Sequence, residues 1–170
     1  MKDWRLVIAI ICTMTFVGCA ALRPVSVIKN ESISNYTYVY ITPTVELSSS
    51  TGGVYGGNYG VYGSTQSKSI NPSDVIAGVL LKNGYTRLPQ ISPDLLDETL
   101  IVNYGESGRR NTGLGSYTIE VTIQFLSART HNVVCTCTGE GQGATEADDI
   151  RIAINRCLEE LLSEKSGLFQ

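Results

Sequence analysis

The 170-residue sequence lacks an apolar run long enough to cross a membrane as a helix. Its N-terminal uncharged run, residues 6–17, covers twelve residues, whereas a spanning helix needs about 20. The sequence also lacks a strong charge excess, since 13 basic residues stand against 16 acidic ones for a net charge of -3. That balance provides no electrostatic attraction for nucleic acid or for an anionic lipid surface.

Recognisable catalytic motifs are also missing. The sequence has no phosphate-binding loop, no HExxH motif and no EF-hand, and its single histidine is His131. The acidic pairs Asp97-Glu98 and Asp148-Asp149 are adjacent in sequence, so their carboxylates point in different directions and do not form a general acid/base pair. We therefore predict no enzyme activity and no cofactor. The alternative is a small periplasmic hydrolase or metal-binding protein that uses His131 and the cysteines.

The N-terminal residues are typical of an export signal. Lys2 and Arg5 precede the apolar run, which ends with Gly18 before Cys19. This junction resembles the lipobox of bacterial lipoproteins, in which the cysteine is lipidated and becomes the mature N-terminus. We predict a signal peptide at residues 1–18 and lipidation at Cys19. The alternative is an ordinary secretory signal that is cleaved after a small residue such as Ala20 or Ala21.

The residue after Cys19 indicates a destination. Ala20 stands where an aspartate would typically retain a lipoprotein in the inner membrane. We therefore expect an outer-membrane lipoprotein on the periplasmic face, held by its lipid anchor to the membrane. Residues 19–35 are interpreted as the lipidated N-terminus and tether, and residues 36–170 as a single domain.

Hydrophobic periodicity predicts an α+β fold. Odd-numbered apolar residues alternate with polar ones over 117–125, which is typical of a strand with one buried face. Asn71 and Pro72 predict the start of a helix, and residues 146–163 carry apolar residues at helical spacing. Further strands are predicted at 36–42, 86–88, 99–104 and 133–138, with a polar connection at 105–115 and a turn at 130–132. The order predicts a two-layer sandwich, in which a mainly antiparallel sheet has two helices on one face.

A Gly/Tyr-rich segment at residues 48–67 interrupts this pattern. Its glycines make an ordered backbone costly, so we expect a flexible surface loop. An alternative interpretation makes Tyr55, Tyr59 and Tyr62 an adaptable contact patch for a protein or glycan partner.

Three cysteines remain after Cys12 leaves with the signal and Cys19 is lipidated. Cys135 and Cys137 lie two apart on one strand, and Cys157 lies on the apolar stripe of the last helix. All three are predicted to point into the helix-sheet layer. Cys157 could bridge one strand cysteine, or all three could be reduced. Their buried direction argues against a metal site with His131, so no metal is predicted.

The glycine run at residues 139–144 nominally matches the dinucleotide-binding fingerprint. The chain lacks the parallel strand-helix-strand unit that this motif requires. We interpret the run as a glycine-rich turn before the last helix, with Thr145 as its capping residue.

The sequence between residues 33 and 163 resembles small bacterial envelope lipoproteins of an uncharacterised family. The resemblance lies in the strand at 36–42, in Lys82-Asn83-Gly84-Tyr85 at a helix end, in Leu100-Ile101-Val102 and in Asn132-Val133-Val134. It implies the fold and the compartment, and no site residues.

We therefore expect an anchored, non-catalytic domain that binds another envelope protein or the cell wall through its open sheet face or the Gly/Tyr-rich segment. An alternative is a self-assembling envelope subunit, because exposed strand edges can pair between copies.

Overall fold

The computed structural model describes residues 21–57, 60–113 and 116–166. At 49–67 and 164–166 it describes the backbone only. The strands and helices are β1 Ser26–Lys29, β2 Tyr38–Ile41, β3 Leu47–Gly57, β4 Gly60–Ile70, α1 Pro72–Lys82, β5 Thr86–Arg87, β6 Thr99–Gly113, β7 Ser116–Ser127, β8 Val133–Gly141 and α2 Glu146–Ser166. Short 3-10 turns cover Ile33–Asn35 and Pro93–Glu98.

Within the described residues, the main sheet has six strands in the order β1-β8-β7-β6-β2-β5. The neighbours among β1, β8, β7 and β6 are antiparallel, whereas β2 runs parallel to both β6 and β5. The strand-helix-strand path from β2 through α1 to β5 produces the parallel pair. The predicted α+β class is confirmed, with a mixed sheet whose larger part is antiparallel.

Both helices cover one face of this sheet. The predicted alternation in β7 is confirmed from Ile119 to Phe125, because Ile119, Val121, Ile123 and Phe125 are fully buried. It is wrong at the start of the strand, where Tyr117 is 37% exposed and Thr118 is fully buried. Every residue of the predicted stripe on α2 is also buried, and this stripe comprises Ile150, Ala153, Ile154, Cys157, Leu158, Leu161 and Leu162. The hydrophobic core therefore lies between the helices and this face, and the opposite face is left open.

The two helix starts follow the capping chemistry of their sequences. The Asn71 side chain accepts a hydrogen bond from the Ser73 amide at 3.1 Å, and Pro72 is the first residue of α1. Thr145 caps α2, because its hydroxyl accepts from the Asp148 amide at 3.2 Å and donates to the Asp148 carboxylate at 2.9 Å. The predicted capping role of Thr145 is confirmed.

The Gly/Tyr-rich segment is a β-hairpin rather than an irregular loop. β3 and β4 pair in register from Leu47 opposite Ile70 to Gly57 opposite Gly60, as a separate two-stranded sheet. Serine, threonine and tyrosine flank the glycines on both strands, and continuous backbone pairing satisfies the polar groups that a loop would leave to water. The expectation of a flexible surface loop at 48–67 is therefore wrong, because the backbone of this segment forms paired strands.

β6 and β7 also extend beyond the sequence prediction. Residues 105–113, expected in a polar connection, continue β6 opposite β7 as far as Gly113. The register shifts between Glu106 and Gly108, which indicates a β-bulge. The bulge lets the strand continue and changes the direction of its polar side chains. The predicted connection is therefore much shorter than 105–115.

The glycines at 139 and 141 belong to β8 and not to a turn. A Cβ at Gly139 would lie 3.0 Å from the Cys157 Sγ, and a Cβ at Gly141 would overlap the carbonyl oxygen of Asp149. These glycines let α2 pack directly on the sheet backbone. The interpretation of the whole run as a turn is corrected: the connection to α2 covers only residues 142–145.

Candidate functional site at the N-terminal clamp and the open edge of β6

The cysteines and the histidine lie in different environments. Cys135, Cys137 and Cys157 are fully buried in one core, as predicted, and all three are free thiols. The Cys137 thiol donates to the Cys157 carbonyl at 3.1 Å, and burial raises the pKa of Cys135 to about 12. Buried, protonated thiols are poor nucleophiles and poor metal ligands.

His131, in contrast, is exposed in the turn between β7 and β8, with a positive φ of 59°. Its amide donates to the Ser127 carbonyl at 2.8 Å, which holds the turn. Among the residues that the structure describes, no group of three or more His, Cys, Asp or Glu side chains could hold a metal ion.

A partly buried ion pair lies at the other end of the sheet from His131. The side chain of Glu140 on β8 is only 2% exposed, and it accepts two hydrogen bonds from Arg110 on β6, from Nε at 2.9 Å and from Nη2 at 2.6 Å. This two-pronged geometry is the strongest arrangement of an arginine and a carboxylate. It lowers the pKa of Glu140 to about 2, mainly through the Arg110 hydrogen bonds.

The same side chains bind the main chain of the first described residues. Glu140 Oε2 accepts from the Arg23 amide at 3.0 Å, and Arg110 Nη2 donates to the Ala21 carbonyl at 3.3 Å. Arg156 on α2 donates to the Glu140 carbonyl at 2.5 Å and to the Arg23 carbonyl at 2.9 Å. We call Glu140, Arg110 and Arg156 the clamp, and residues 21–25 the strap.

The strap leads directly into β1 along the edge of β8. Val25 and Val27 pack against the core, and β1 pairs with β8 from Ser26 opposite Thr138. The expected tether at 19–35 is therefore docked on the domain from Ala21 onward. Main-chain hydrogen bonds and apolar packing together hold it there.

Sequence reasoning did not single out the clamp. In the sequence, Glu140 lies within a glycine run, and Arg110 lies within the predicted polar connection between strands. The one local signal is the sequence Gly139-Glu140-Gly141. In a strand, this alternation puts the two glycines on the face that contacts the helix and the Glu140 carboxylate on the opposite face. The partners lie 30 and 117 residues away in sequence, so no local pattern identifies them.

A second feature is the unpaired edge of β6. β2 ends at Ile41, opposite Val102, and among the described residues no strand pairs with β6 on that side beyond Val102. The Val102 carbonyl accepts from the Thr42 amide at 3.0 Å. Because backbone groups alternate in direction along a strand, the amides of Tyr104 and Glu106 point to the same open side.

A shallow groove of about 240 Å³ lies next to this edge, over the open face of the sheet where β6 pairs with β7. It is lined by Asn103, Tyr104, Gly105, Glu106, Ser107, Thr122 and Gln124. The lining offers amide, hydroxyl and carboxylate groups, and a Cβ at Gly105 would meet no atom within 4 Å. These groups can donate or accept hydrogen bonds.

The described residues include no side chain for four predicted site residues. Cys19 and Tyr59 lie outside the described residues. Tyr55 and Tyr62 stand opposite each other in the hairpin register, and only their backbone is described. In the described part of the chain, neither helix combines the length and apolar character needed to cross a membrane.

Comparison with known proteins gives structural likeness only. No family model and no curated protein matches the chain. The PelC dodecamer of Paraburkholderia phytofirmans matches with a TM-score of 0.48 and 13% identity, over 83% of this chain and 97% of that one. A neuraminyllactose-binding hemagglutinin homolog from Helicobacter pylori matches with a TM-score of 0.32 and 12% identity, over 84% and 87% of the two chains.

Proposed function

We propose that this protein is an envelope lipoprotein anchored to the outer membrane through Cys19, with a non-catalytic role in binding another envelope protein. The unpaired edge of β6 is the observation that carries the binding role. The cell wall is the alternative partner, and a second copy of the chain is the other protein that the same edge could accept.

The anchor is supported by the Gly18-Cys19 junction and by the position of the strap. Ala21 is already bound by Arg110, so the domain begins two residues after the proposed lipidated cysteine. A domain that starts this close to its anchor remains beside the membrane, where an envelope partner would meet it.

The binding role rests on unused backbone hydrogen-bonding groups. Residues 105–109 are exposed, and the amides of Tyr104 and Glu106 face the open side without a strand partner. An added strand would form hydrogen bonds with these amides. Beyond Val102 it would take the position next to β6 that β2 occupies up to that residue. Side chains of the added segment that point to the open face would then lie next to the groove between β6 and β7.

A proline on the edge tests this role. In Glu106→Pro the missing amide faces away from β7, so the fold should survive while strand addition is blocked. A photo-reactive phenylalanine in place of Ser107 reports partner contact in cells. We expect its crosslink to another envelope protein to disappear in Glu106→Pro and to persist in Glu106→Gln, which retains the amide.

The crosslinked species separates the alternatives. A product of twice the chain's mass that Glu106→Pro removes would identify a second copy and support the self-assembling subunit instead. Co-sedimentation with purified cell wall that survives Glu106→Pro, with no protein crosslink, would contradict strand addition. The same label in place of the exposed Arg151 on α2 controls for nonspecific capture.

A further inference from the structure

The clamp holds the start of the domain close to the proposed anchor. Three main-chain atoms are bound, namely the Ala21 carbonyl, the Arg23 amide and the Arg23 carbonyl. Only Ala20 separates Cys19 from Ala21, so the connection spans about 7 Å at full extension. A connection this short leaves the clamp end of the domain within reach of the lipid headgroups.

The residues around the clamp fix which end of the sheet this is. Ile119 is opposite Gly141, so the start of β7 and the end of β8 lie together. Gln142 donates to the Thr112 hydroxyl at 3.2 Å and to the Ser116 hydroxyl at 2.6 Å, which ties the β8-α2 connection to the ends of β6 and β7. The turn at 130–132 is at the opposite end, about 30 Å away along β7.

The clamp end carries side chains that suit a headgroup layer. The Arg23 side chain is 63% exposed, although its main chain is bound on both sides and its Nε forms a 3.5 Å ion pair with the Glu140 carboxylate. Tyr117 is 37% exposed, and the Arg109 guanidinium lies 5.3 Å from the centre of its ring. Tyrosine and arginine place an apolar body next to a polar tip, which favours the membrane-water interface.

The geometry points to an oriented membrane contact: the clamp holds the strap so that the end of the sheet bearing Arg23 and Tyr117 faces the lipid headgroups, and the 130–132 turn points away from the bilayer. This inference rests on the proposed lipid anchor at Cys19. Without the clamp the strap would be free up to β1, and the anchor would no longer set the orientation of the domain.

Tryptophan fluorescence can measure the orientation, because the chain's single tryptophan is Trp4 in the predicted signal peptide. In a Trp4→Phe background, Tyr117→Trp reports the clamp end and Asn132→Trp reports the far turn. The full chain is expressed with its signal, purified in detergent and reconstituted into dioleoylphosphatidylcholine vesicles with a spin label on the headgroups. We expect headgroup quenching several-fold stronger at position 117 than at position 132.

Removing the clamp should abolish this difference while vesicle binding persists. Glu140→Gln removes the carboxylate that accepts from Arg23, and Arg156→Gln removes the arginine that donates to its carbonyl, as a milder second variant. Glu120→Gln is the matched control, because Glu120 is opposite Glu140 in the sheet and accepts from Ser107 rather than from the strap. It should keep the wild-type difference.

The outcomes separate this inference from the proposed anchor. Mass spectrometry of the same preparation reports the lipid on Cys19, and an unmodified N-terminus would overturn both the anchor and the orientation. Equal quenching at positions 117 and 132 in lipidated protein would overturn the orientation alone. A difference that survives in both clamp variants, each shown to be folded by circular dichroism, would overturn the role of the clamp.

Discussion

Gly141 determines how closely α2 approaches the sheet. A Cβ there would overlap the Asp149 carbonyl oxygen and lie 2.7 Å from the Ala153 amide nitrogen, both of them main-chain atoms of α2. Main-chain atoms cannot move aside without shifting the helix. The helix-sheet distance at this end therefore depends on a missing side chain.

We expect Gly141→Ala to lower the free energy of unfolding by about 3 kcal/mol, since the helix must shift to admit the methyl group. Gly105→Ala is the control, because a Cβ at Gly105 meets open space. Its effect should stay within about 0.5 kcal/mol. Urea unfolding of both variants measures the difference, and similar effects would contradict the close approach at Gly141.

The ionisation of Glu140 makes the stability that the clamp contributes depend on pH. Its pKa in the folded protein is about 2, below the ordinary value of 4.5, because Arg110 and Arg23 stabilise the carboxylate. The acidic neighbour of Glu140 is Glu120, which lies opposite it on β7 and accepts a hydrogen bond from Ser107. A lowered pKa contributes stability that is fully present above pH 4.5 and is lost as the pH falls toward 2.

Glu140→Gln should therefore be less stable than the wild type by about 1–3 kcal/mol at pH 7, and this gap should shrink as the pH falls from 4.5 to 2. Chemical unfolding at pH 7, 4 and 2.5 measures this gap. The difference between the two free energies of unfolding cancels the contributions of the acidic residues that both proteins contain. A gap that is constant with pH would contradict the charged pair.

At the element scale, the hairpin of β3 and β4 is attached by its base. Leu47 packs against the core, Ile70 is buried within it, and Lys68 forms a 2.9 Å ion pair with Asp148 on α2. The backbone pairing continues from this base to Gly57 and Gly60. The base therefore contributes to the core, whereas the distal part is paired within the hairpin.

Replacing residues 52–65 by Asn-Gly would leave Thr51 opposite Gln66 and close the hairpin with a favoured two-residue turn. We expect the melting temperature to change by only a few degrees, because the base remains. Ile70→Ala should cost about 2–4 kcal/mol, since a 3% exposed side chain leaves the core. Calorimetry measures both, and unfolding of the shortened protein would show that the distal strands support the domain.

The elements that sequence reasoning identified are those with strong local signals. Period-2 alternation predicted β7, and capping residues predicted the start of α1. The hairpin at 47–70 was missed because glycine lowers the intrinsic strand propensity, and pairing with a neighbouring strand overrides that propensity. The parallel placement of β2 next to β6 depends on contacts across about 60 residues, which periodicity does not report.

At the scale of the whole molecule, the anchor makes a direct prediction. We expect Cys19→Ser to move the protein from the membrane fraction to the soluble fraction, because about 0.8 kcal/mol per buried methylene is lost with the acyl chains. Cys12→Ser, within the same predicted signal, should leave it membrane-bound. Fractionation with mass spectrometry of the N-terminus tests both, and a wild-type chain beginning at Ala20 or beyond without lipid would refute the anchor.

The sequence by itself determined the α+β class, the buried face of β7, the apolar stripe of α2 and the meeting of the three cysteines in one core. These follow from the 2.0 and 3.6 periodicities of strands and helices, which each segment carries locally. Only the tertiary structure decided that residues 21–25 bind to the end of the sheet, that Gly141 lets α2 pack close to β8, and that β6 has an unpaired edge. Each of these joins residues far apart in sequence, and a partly buried ion pair such as Arg110-Glu140 leaves no periodic pattern in either segment.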